Sequence, residues 1–267
     1  MKKVIVIPAR YASTRLPGKP LREIDNKPLI QWVYEGAKRS RLKDNILIAT
    51  DDERIRDAAL SFGADVVMTA PSCESGTERV YEAIRGSDAE IIVNLQGDEP
   101  FIRGDMIDEL FSVIEKEHLD MATLCCPIPA RKACPPGGCA GGKDGHEYED
   151  PNTVKVVLDR LGFALYFSRS PIPYIKVNDH SPLTTHHSIT YKHIGIYGYS
   201  RSFLEKFVNM EKGMLEEAES LEQLRVLEHG YRIRVLITSY DGFGIDTEED
   251  LARFAEIQLK LPITKLQ

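Results

Sequence analysis

The chain has 267 residues, of which 42% are hydrophobic and 28% are charged, a composition typical of a soluble globular protein. Its length accommodates one large domain with a sub-domain. The formal net charge of −7 disfavours general binding to nucleic acid, so an anionic ligand would require a local basic pocket. No apolar run approaches the roughly 20 residues that span a bilayer, and no signal-peptide pattern opens the chain. We therefore expect a cytoplasmic protein without a membrane or nucleic-acid partner.

Strand-like and helix-like patterns alternate along the first half of the chain. Apolar or β-rich runs predict strands at residues 4–7, 45–49, 64–68, 90–95 and 121–126. Helical spacing of apolar residues predicts helices at residues 28–40, 52–62, 75–84 and 104–117. Strands and helices that alternate over short loops form βαβ units. The sequence therefore predicts an α/β fold with a doubly wound, mostly parallel central sheet.

The second half departs from this alternation. Residues 154–159 and 163–168 predict a β-hairpin, and a β-rich segment follows at residues 190–199. A helix at 216–228, a strand at 232–238 and a closing helix at 247–259 complete the prediction. We interpret residues 1–267 as a single domain. Residues 150–200 are expected to form an inserted sub-domain that binds substrate and pairs two subunits.

A glycine-rich stretch lies at residues 130–150. It matches the pattern G-x-x-x-x-G-K, but Asp144 stands where a P-loop needs Ser or Thr, and no strand leads into it. We expect a flexible surface loop without a catalytic or metal role. Cys134 and Cys139 could form a zinc site with His186 and His187, but no second cysteine pair has suitable spacing. The other cysteines are expected to be buried thiols rather than disulfides: Cys73, Cys125 and Cys126.

The loop after the first strand carries three cations, Arg10, Arg15 and Lys19, within ten residues. It lies where open α/β sheets bind ligands, at the carboxyl ends of the strands. Arginine binds phosphate oxygens bidentately and lysine acts as a point charge, so this loop suits a polyphosphate. The alternative is an ordinary solvated basic loop.

Two acidic motifs complement that loop. Asp98 lies in the sequence Gln-Gly-Asp-Glu-Pro after the apolar strand at 90–95, where a carboxylate could hold Mg²⁺ against phosphate. Asp246 precedes Thr247 and Asp250, a pair that also fits a helix-capping box. If the strand at 232–238 borders the strand at 90–95, both aspartates could hold one metal ion. An acidic turn and a plain cap are the alternatives.

The motifs resemble those of the nucleotidyltransferases that make CMP-activated acid sugars. The resemblance runs nearly end to end. Its motifs are Ile-Pro-Ala-Arg at 7–10, Ser-Thr-Arg-Leu-Pro-Gly-Lys-Pro-Leu at 13–21, Gln-Gly-Asp-Glu-Pro at 96–100, Gly-Ile-Asp-Thr at 244–247, and the segments 150–159, 164–173, 192–199 and 219–225. The stretch 130–148 is longer and richer in Gly and Cys than the family pattern.

The resemblance implies a Rossmann-like nucleotidyltransferase fold, a homodimer, Mg²⁺ as cofactor, and CTP and 3-deoxy-D-manno-octulosonate (Kdo) as substrates. Its products would be CMP-Kdo and pyrophosphate. A close analogue such as 8-amino-Kdo, a sialic acid or a sugar phosphate remains an alternative acceptor, and a non-catalytic nucleotide-binding regulator an alternative function. No side chain is an evident general base, so metal-assisted deprotonation of the anomeric 2-hydroxyl is expected.

The same resemblance implies roles for individual residues. Catalysis is assigned to Arg15, Lys19, Asp98 and Asp246, the last two as metal ligands. Nucleotide binding is assigned to Ala9, Arg10, Ser13, Thr14, Arg15, Lys19, Ser75, Arg79 and Gln96. Sugar binding is assigned to Arg10, Gln96, Arg169, His193, Tyr197, Glu222 and Gln223. Each of four residues also has a purely structural interpretation. Ser75 could serve only as a helix cap, His193 could be a satisfied core histidine, and Arg169 and Glu222 could be surface charges.

Overall fold

The computed structural model describes residues 1–12, 16–128, 147–174, 189–240 and 242–260. The chain divides into two compact units. Unit 1 comprises Met1–His118, Gly195–Val208 and Asp241–Gln267, and unit 2 comprises Leu119–Ile194 and Asn209–Tyr240. Of the predicted sub-domain, residues 150–194 belong to unit 2 and residues 195–200 to unit 1.

The sheet of unit 1 is built on four parallel strands, and elements are numbered in chain order. β1 (Lys3–Ala9) pairs with β4 (Asn45–Thr50) on one side and with β6 (Ile91–Leu95) on the other, and β5 (Asp65–Met68) extends the sheet beyond β4. The end of β10 (Tyr191–Ser200) lies antiparallel to β6. This mostly parallel sheet confirms the predicted α/β class.

Among the described residues, unit 1 contains six α-helices, and the sequence predicts all of them except the one at 201–208. They are α1 (Leu29–Lys38), α2 (Glu53–Ser61), α3 (Gly76–Ile84), α4 (Gly104–Glu117), α5 (Arg201–Val208) and α8 (Glu248–Lys260). All five residues of β6 are buried, as expected for a parallel strand covered on both faces. In the part of the chain that the structure describes, no helix has the length and apolar content needed to cross a membrane.

Unit 2 combines a parallel strand pair with a hairpin. β7 (Met121–Pro127) and β11 (Arg234–Ile237) are parallel, and β8 (Lys155–Leu158) and β9 (Ala164–Ser168) form the predicted antiparallel hairpin. The first residues of β10 pair with β8. Two short helices, α6 (Met214–Glu219) and α7 (Gln223–Glu228), complete the unit.

The observed elements differ from the predicted ones in several respects. The single helix at 216–228 is two helices, because Ser220 adopts a left-handed conformation with φ of 51° and ends α6. The strand at 232–238 does not border β6: its core, β11, pairs with β7, and the neighbours of β6 are β1 and β10. The sequence also gave no prediction of α5 or of the small hairpin of β2 (Glu23–Ile24) and β3 (Lys27–Pro28).

The cysteine predictions are partly confirmed. Cys125 and Cys126 are free and buried, but Cys73 is only half-buried. The predictions for Cys134, Cys139, His186 and His187 lie outside the described residues, as does most of the glycine-rich stretch.

Candidate active site

A cavity of about 430 Å³ opens in unit 1 at the carboxyl ends of β1 and β6. The chain proceeds from β1 to β4 and β5 on one side and then places β6 on the other, so the strand order reverses here. Such a reversal is the position at which open α/β sheets bind ligands. Eight of the predicted site residues line this cavity: Ala9, Arg10, Lys19, Ser75, Arg79, Gln96, Asp98 and Asp246.

The floor of the cavity depends on a close approach of two chain segments. A Cβ atom at Gly97 would lie 3.0 Å from the carbonyl oxygen of Pro8, so only glycine fits without displacement. The side-chain amide of the neighbouring Gln96 donates to Oδ1 of the buried Asn94 at 3.0 Å, and this bond orients the Gln96 side chain. Gln96 is therefore held at the cavity rim in one orientation.

Lys19 follows a tight turn that aims it at the sheet edge. Gly18 adopts φ of 66°, and its N–H donates to the carbonyl of Tyr11 at 3.2 Å. The short 3₁₀ helix Lys19–Leu21 begins directly after this turn. The predicted residues Ser13, Thr14 and Arg15 of this loop lie outside the described residues, and their roles stay predictions.

The ammonium of Lys19 joins the two aspartates. Its Nζ lies 2.6 Å from Oδ2 of Asp98 and 2.9 Å from Oδ1 of Asp246. Burial of the ammonium acts to lower the pKa of Lys19, but the charges and hydrogen bonds of both carboxylates outweigh it and raise the pKa above its ordinary value. Lys19 is thus firmly protonated and neutralises part of the negative charge of both carboxylates.

Backbone contacts hold the loops of Asp98 and Asp246 together. The N–H of Ile245 donates to the carbonyl of Asp98 at 2.9 Å. A buried apolar cluster anchors the Asp246 loop through Ile245 and Leu251, and Phe101, which follows Asp98 by three residues, packs against it. The other buried members of the cluster are Leu16, Ile24, Leu29 and Phe254. The expected proximity of the aspartates is therefore confirmed, but through this anchoring and not through pairing of β6 with β11.

The capping interpretation of the Asp246 loop is also confirmed. The N–H of Asp250 donates to Oγ1 of Thr247 at 3.2 Å, and Oδ2 of Asp250 accepts from the N–H of Thr247 at 3.0 Å. The same carboxylate oxygen accepts from the N–H of Asp246 at 3.2 Å. The cap at the start of α8 therefore fixes the backbone that carries Asp246.

The N-terminus of α3 also lines the cavity. Ser75 caps this helix and accepts from the N–H of Glu78 at 3.1 Å, so its capping role is confirmed alongside its position at the cavity. Arg79 is only 3% exposed; its guanidinium lies 3.3 Å from Oδ2 of Asp51 and donates to Oγ1 of Thr69. A buried guanidinium beside one carboxylate keeps a fixed position in the wall.

Glu82 is a supporting residue that sequence reasoning missed. Its carboxylate accepts from the N–H of Ala70 at 3.0 and 3.1 Å and from Sγ of Cys73 at 2.9 Å. Burial, with the hydrogen bond to Glu82, raises the pKa of Cys73 to about 11, so this thiol at the cavity is neutral near pH 7. Glu82 lies three residues after Arg79 on α3, so the two side chains lie on the same face of the helix. That spacing could have indicated from the sequence that Glu82 lies near the site.

The remaining predicted sugar-binding residues are divided between the units. Tyr197, half-buried on β10, belongs to unit 1 and stacks on Tyr199 with ring centroids 6.1 Å apart. In unit 2, Glu222 immediately precedes α7 and Gln223 is its first residue, buried to 4% exposure. Their proposed contacts with a sugar stay predictions.

His193 of unit 2 has protein partners. Its Nε2 lies 3.0 Å from Oγ1 of Thr123, and the ring packs edge-on against Phe167 with centroids 5.1 Å apart. Burial of the imidazole lowers the pKa of His193 to about 3, so the ring is neutral near pH 7. His193 is half-buried and hydrogen-bonded, which fits the satisfied histidine that the sequence left as an alternative, and a neutral imidazole also retains hydrogen-bonding capacity.

Arg169, also in unit 2, is bound to the backbone. Its guanidinium donates to the carbonyls of Glu219 at 2.7 Å, Pro151 at 3.1 Å and Ser220 at 3.4 Å. These bonds fix the plane of the guanidinium. The alternative interpretation of Arg169 as a free surface charge is therefore wrong.

The donor set at Lys19 fits a small divalent cation. Among the described residues, no group of three or more His, Cys, Asp or Glu side chains could hold a metal. Asp98 and Asp246 supply two carboxylates directed at one cationic group. Magnesium is commonly bound by one or two carboxylates, with phosphate oxygens and water completing its octahedron. The site therefore suits Mg²⁺ that arrives with a phosphate-bearing ligand.

Comparison with known proteins defines the class. The family model described as Cytidylyltransferase matches residues 4–233, and this chain belongs to that family. It is 45% identical over 259 residues to the 3-deoxy-manno-octulosonate cytidylyltransferase of Thermodesulfovibrio yellowstonii, covering 94% of this chain and 96% of the relative. It is 45% identical over 264 residues to the 8-amino-3,8-dideoxy-manno-octulosonate cytidylyltransferase of Shewanella pealeana, covering 97% and 99%.

A solved structure agrees with these relatives. CMP:2-keto-3-deoxy-manno-octonic acid synthetase, complexed with CTP, superimposes with a TM-score of 0.84 at 41% identity. The match covers 97% of this chain and 99% of that protein. The resemblance identified from the sequence motifs is confirmed.

Proposed function

We propose that this protein transfers CMP from CTP to the anomeric 2-hydroxyl of Kdo, which yields CMP-Kdo and pyrophosphate and activates Kdo for lipopolysaccharide synthesis. The observation that carries the proposal is the meeting of Lys19, Asp98 and Asp246 at the mouth of one cavity. A cation for phosphate and a pair of carboxylates for a metal are the two requirements of nucleotidyl transfer. The relatives and the CTP-bound neighbour supply the substrate identities.

The cavity provides the groups that a nucleoside triphosphate needs. Arg10 and Lys19 line the cavity and would offset charge on the departing pyrophosphate, a role that the sequence also predicts for Arg15. Ser75 and Gly76 present the N-terminus of the nine-residue helix α3 to the cavity. Gln96, held by Asn94, lines the same cavity from the chain segment after β6.

Magnesium is part of the proposal, with Asp98 and Asp246 as its ligands. The chemistry supplied by bound Mg²⁺ is Lewis acidity toward the triphosphate and the acceptor hydroxyl. The protein's part is to hold both carboxylates in place through the Ile245–Asp98 backbone bond and the α8 cap. Attack of the 2-hydroxyl on the α-phosphorus is in line with the leaving pyrophosphate, and Lys19 and Arg10 stabilise the charge that develops there.

Recognition of the acceptor is assigned to the predicted sugar-binding residues, of which Arg10 and Gln96 also line the cavity. Kdo is a carboxylic acid, so a guanidinium such as that of Arg10 or Arg169 suits its carboxylate. The hydroxyls suit the neutral imidazole of His193 and the side chains of Tyr197, Glu222 and Gln223. The Shewanella relative acts, by its name, on the 8-amino acid at the same 45% identity, so this analogue is the second candidate acceptor.

Pyrophosphate release tests the proposal. CTP, UTP and ATP are combined with Kdo, 8-amino-Kdo and sialic acid in the presence of Mg²⁺. We expect release with CTP and Kdo well above every other pair. Release with 8-amino-Kdo alone would reassign the acceptor, and tight CTP binding without release from any pair would indicate a regulator instead of an enzyme.

A homodimer and a cytoplasmic location complete the proposal. Several large apolar side chains of unit 2 are exposed and are candidates for the subunit interface. They include Leu161, Leu165, Tyr174, Met214 and Ile237. Light scattering on a sizing column should give twice the chain mass of 30.1 kDa. A cytoplasmic location follows if CTP is the substrate, since CTP is supplied inside the cell.

A further inference from the structure

Lys155 is a buried cation that the mechanism so far leaves unused. It is the first residue of β8, and its side chain has 0% exposure. Its ammonium donates to three backbone carbonyls: Asp150 at 2.9 Å, Thr153 at 2.6 Å and Arg169 at 2.5 Å. A lysine ammonium has three donors, so its full hydrogen-bonding capacity is used.

Burying the Lys155 ammonium costs free energy, so the hydrogen bonds that it makes there need an explanation. Burial disfavours the charged form and lowers the pKa of Lys155, as desolvation does for any buried amine. An apolar side chain could fill the same volume without that penalty. What Lys155 provides, and an apolar side chain cannot, is a set of hydrogen bonds with fixed directions. These bonds join the turn at 150–153 to the peptide of Arg169, which lies 14 residues after Lys155.

The same peptide belongs to a second set of bonds. The carboxylate of Glu219 accepts from the N–H of Arg169 at 2.9 Å and from Oγ of Ser168 at 2.6 Å. The guanidinium of Arg169 returns to the carbonyls of Pro151, Glu219 and Ser220. Lys155 and Arg169 thus connect three segments by hydrogen bonds: the turn at 150–153, the end of β9 and the α6–α7 junction. We call these three segments the corner.

This corner adjoins residues assigned to the acceptor. Ser220 is the left-handed residue that ends α6, and Glu222 follows it by two positions at the start of α7. Because the guanidinium of Arg169 holds the Ser220 carbonyl, a shift in the Arg169 peptide would move both Arg169 and the backbone before Glu222. Lys155 controls that peptide directly.

We propose that Lys155 is a positioning residue for the acceptor sugar: its buried ammonium fixes the Arg169 peptide and the 150–153 turn, so that Arg169 and Glu222 meet Kdo in one arrangement. This inference rests on the proposed function. It assigns a role in acceptor recognition to a residue that does not itself contact substrate. The role concerns the KM for Kdo and leaves the nucleotide cavity of unit 1 unaffected.

The test is Lys155→Met, which keeps the aliphatic stem and removes all three donors. Leaving the carbonyls without their donor should raise the KM for Kdo roughly tenfold or more, whereas kcat and the Kd for CTP change less than about twofold. Lys155→Gln retains amide donors without the charge and should give an intermediate KM. It also serves as the working variant if Lys155→Met does not fold.

Val156→Ala is the matched control, since Val156 is the next residue of β8 and is fully buried. It should lower the unfolding temperature and leave the KM for Kdo unchanged. A purely structural role of Lys155 predicts that Lys155→Met behaves like Val156→Ala, and that result would overturn the inference. Absence of Kdo-dependent turnover by the unsubstituted enzyme would overturn the proposed function and this inference together, so the two failures are distinguishable.

Discussion

Lys19 Nζ lies 2.6 Å from Oδ2 of Asp98, within the cavity where a divalent cation is proposed to bind. Asp246 approaches the same ammonium at 2.9 Å, so one lysine balances both proposed metal ligands. A divalent cation on these carboxylates and an ammonium at this distance would repel each other. We therefore expect that Lys19 gives up its contacts with both carboxylates and binds phosphate when a metal ion and CTP are bound together, an exchange between two sets of partners.

The first prediction follows from that exchange. Lys19→Met should raise the affinity of the nucleotide-free protein for Mn²⁺, used in place of Mg²⁺, by roughly fivefold or more, because the competing ammonium is gone. The same variant should bind CTP roughly ten- to a hundredfold more weakly, since a charge-assisted contact to phosphate is lost. Electron paramagnetic resonance measures the free Mn²⁺, and calorimetry measures CTP binding.

Lys27→Met is the control for a lost lysine, because Lys27 pairs with Glu35 in the same unit without lining the cavity. It should leave both affinities unchanged. Equal Mn²⁺ binding by Lys19→Met and the unsubstituted protein would contradict the exchange.

The second prediction concerns the carboxylates themselves. Asp98→Asn and Asp246→Asn should each reduce turnover by orders of magnitude while the unfolding temperature stays within a few degrees, since neither side chain belongs to the buried core. Mn²⁺ binding in the presence of CTP should weaken in parallel, which separates loss of the metal from loss of folding. Asp57→Asn, an exposed aspartate paired with Arg56, is the control. Near-normal turnover in either site variant with Mg²⁺ would refute the joint metal site.

The third prediction is a pH dependence of stability. The folded-state pKa of His193, about 3, lies below its ordinary value of 6.5. Between these values the unfolded chain takes up a proton that the folded protein does not, so this group destabilises the fold as the pH falls below about 6.5, by up to about 1.4 kcal/mol per pH unit. His193→Gln should therefore show a flatter loss of the free energy of unfolding between pH 7 and 5.

Denaturant unfolding at several pH values measures this slope. His229→Gln, at an exposed position, is the control and should keep the slope of the unsubstituted protein. A His193→Gln slope equal to that of the unsubstituted protein would contradict the prediction, because it would show that the folded protein and the unfolded chain protonate this imidazole over the same pH range.

The sequence predicts the fold well where local pattern determines it. The alternation from β1 to β7 and the hairpin of β8 and β9 follow from the spacing of apolar residues and from turn chemistry. The break at Ser220 could not be predicted in this way, because residues 216–228 keep helical spacing while one residue takes φ of 51°. The backbone conformation of a single non-glycine residue depends on its tertiary surroundings.

The site shows the same division. The sequence motifs identify Asp98 and Asp246 as candidate site residues. Their proximity, however, depends on the Ile245–Asp98 bond and on an apolar cluster whose members are far apart in the sequence, and no local sequence pattern predicts either. Lys155 was missed because a lysine in a β-rich run is typical of an exposed face. Its burial is possible only because the Asp150, Thr153 and Arg169 carbonyls converge on it, and such convergence is a property of the folded chain.

The last prediction separates the two halves of the reaction. Arg169→Ala removes the guanidinium held at Pro151, Glu219 and Ser220 in unit 2, whereas the cavity proposed for CTP is lined by residues of unit 1. The KM for Kdo should therefore rise by roughly tenfold or more, and the Kd for CTP should stay within about twofold. Lys19→Met should show the reverse pattern, with CTP affinity lost and the response to Kdo largely retained. Calorimetric titration of CTP into both variants, together with Kdo kinetics at saturating CTP, measures the difference. A large loss of CTP affinity in Arg169→Ala with an unchanged KM for Kdo would mean that unit 2 contacts the nucleotide, and the donor and acceptor assignments would then have to be exchanged.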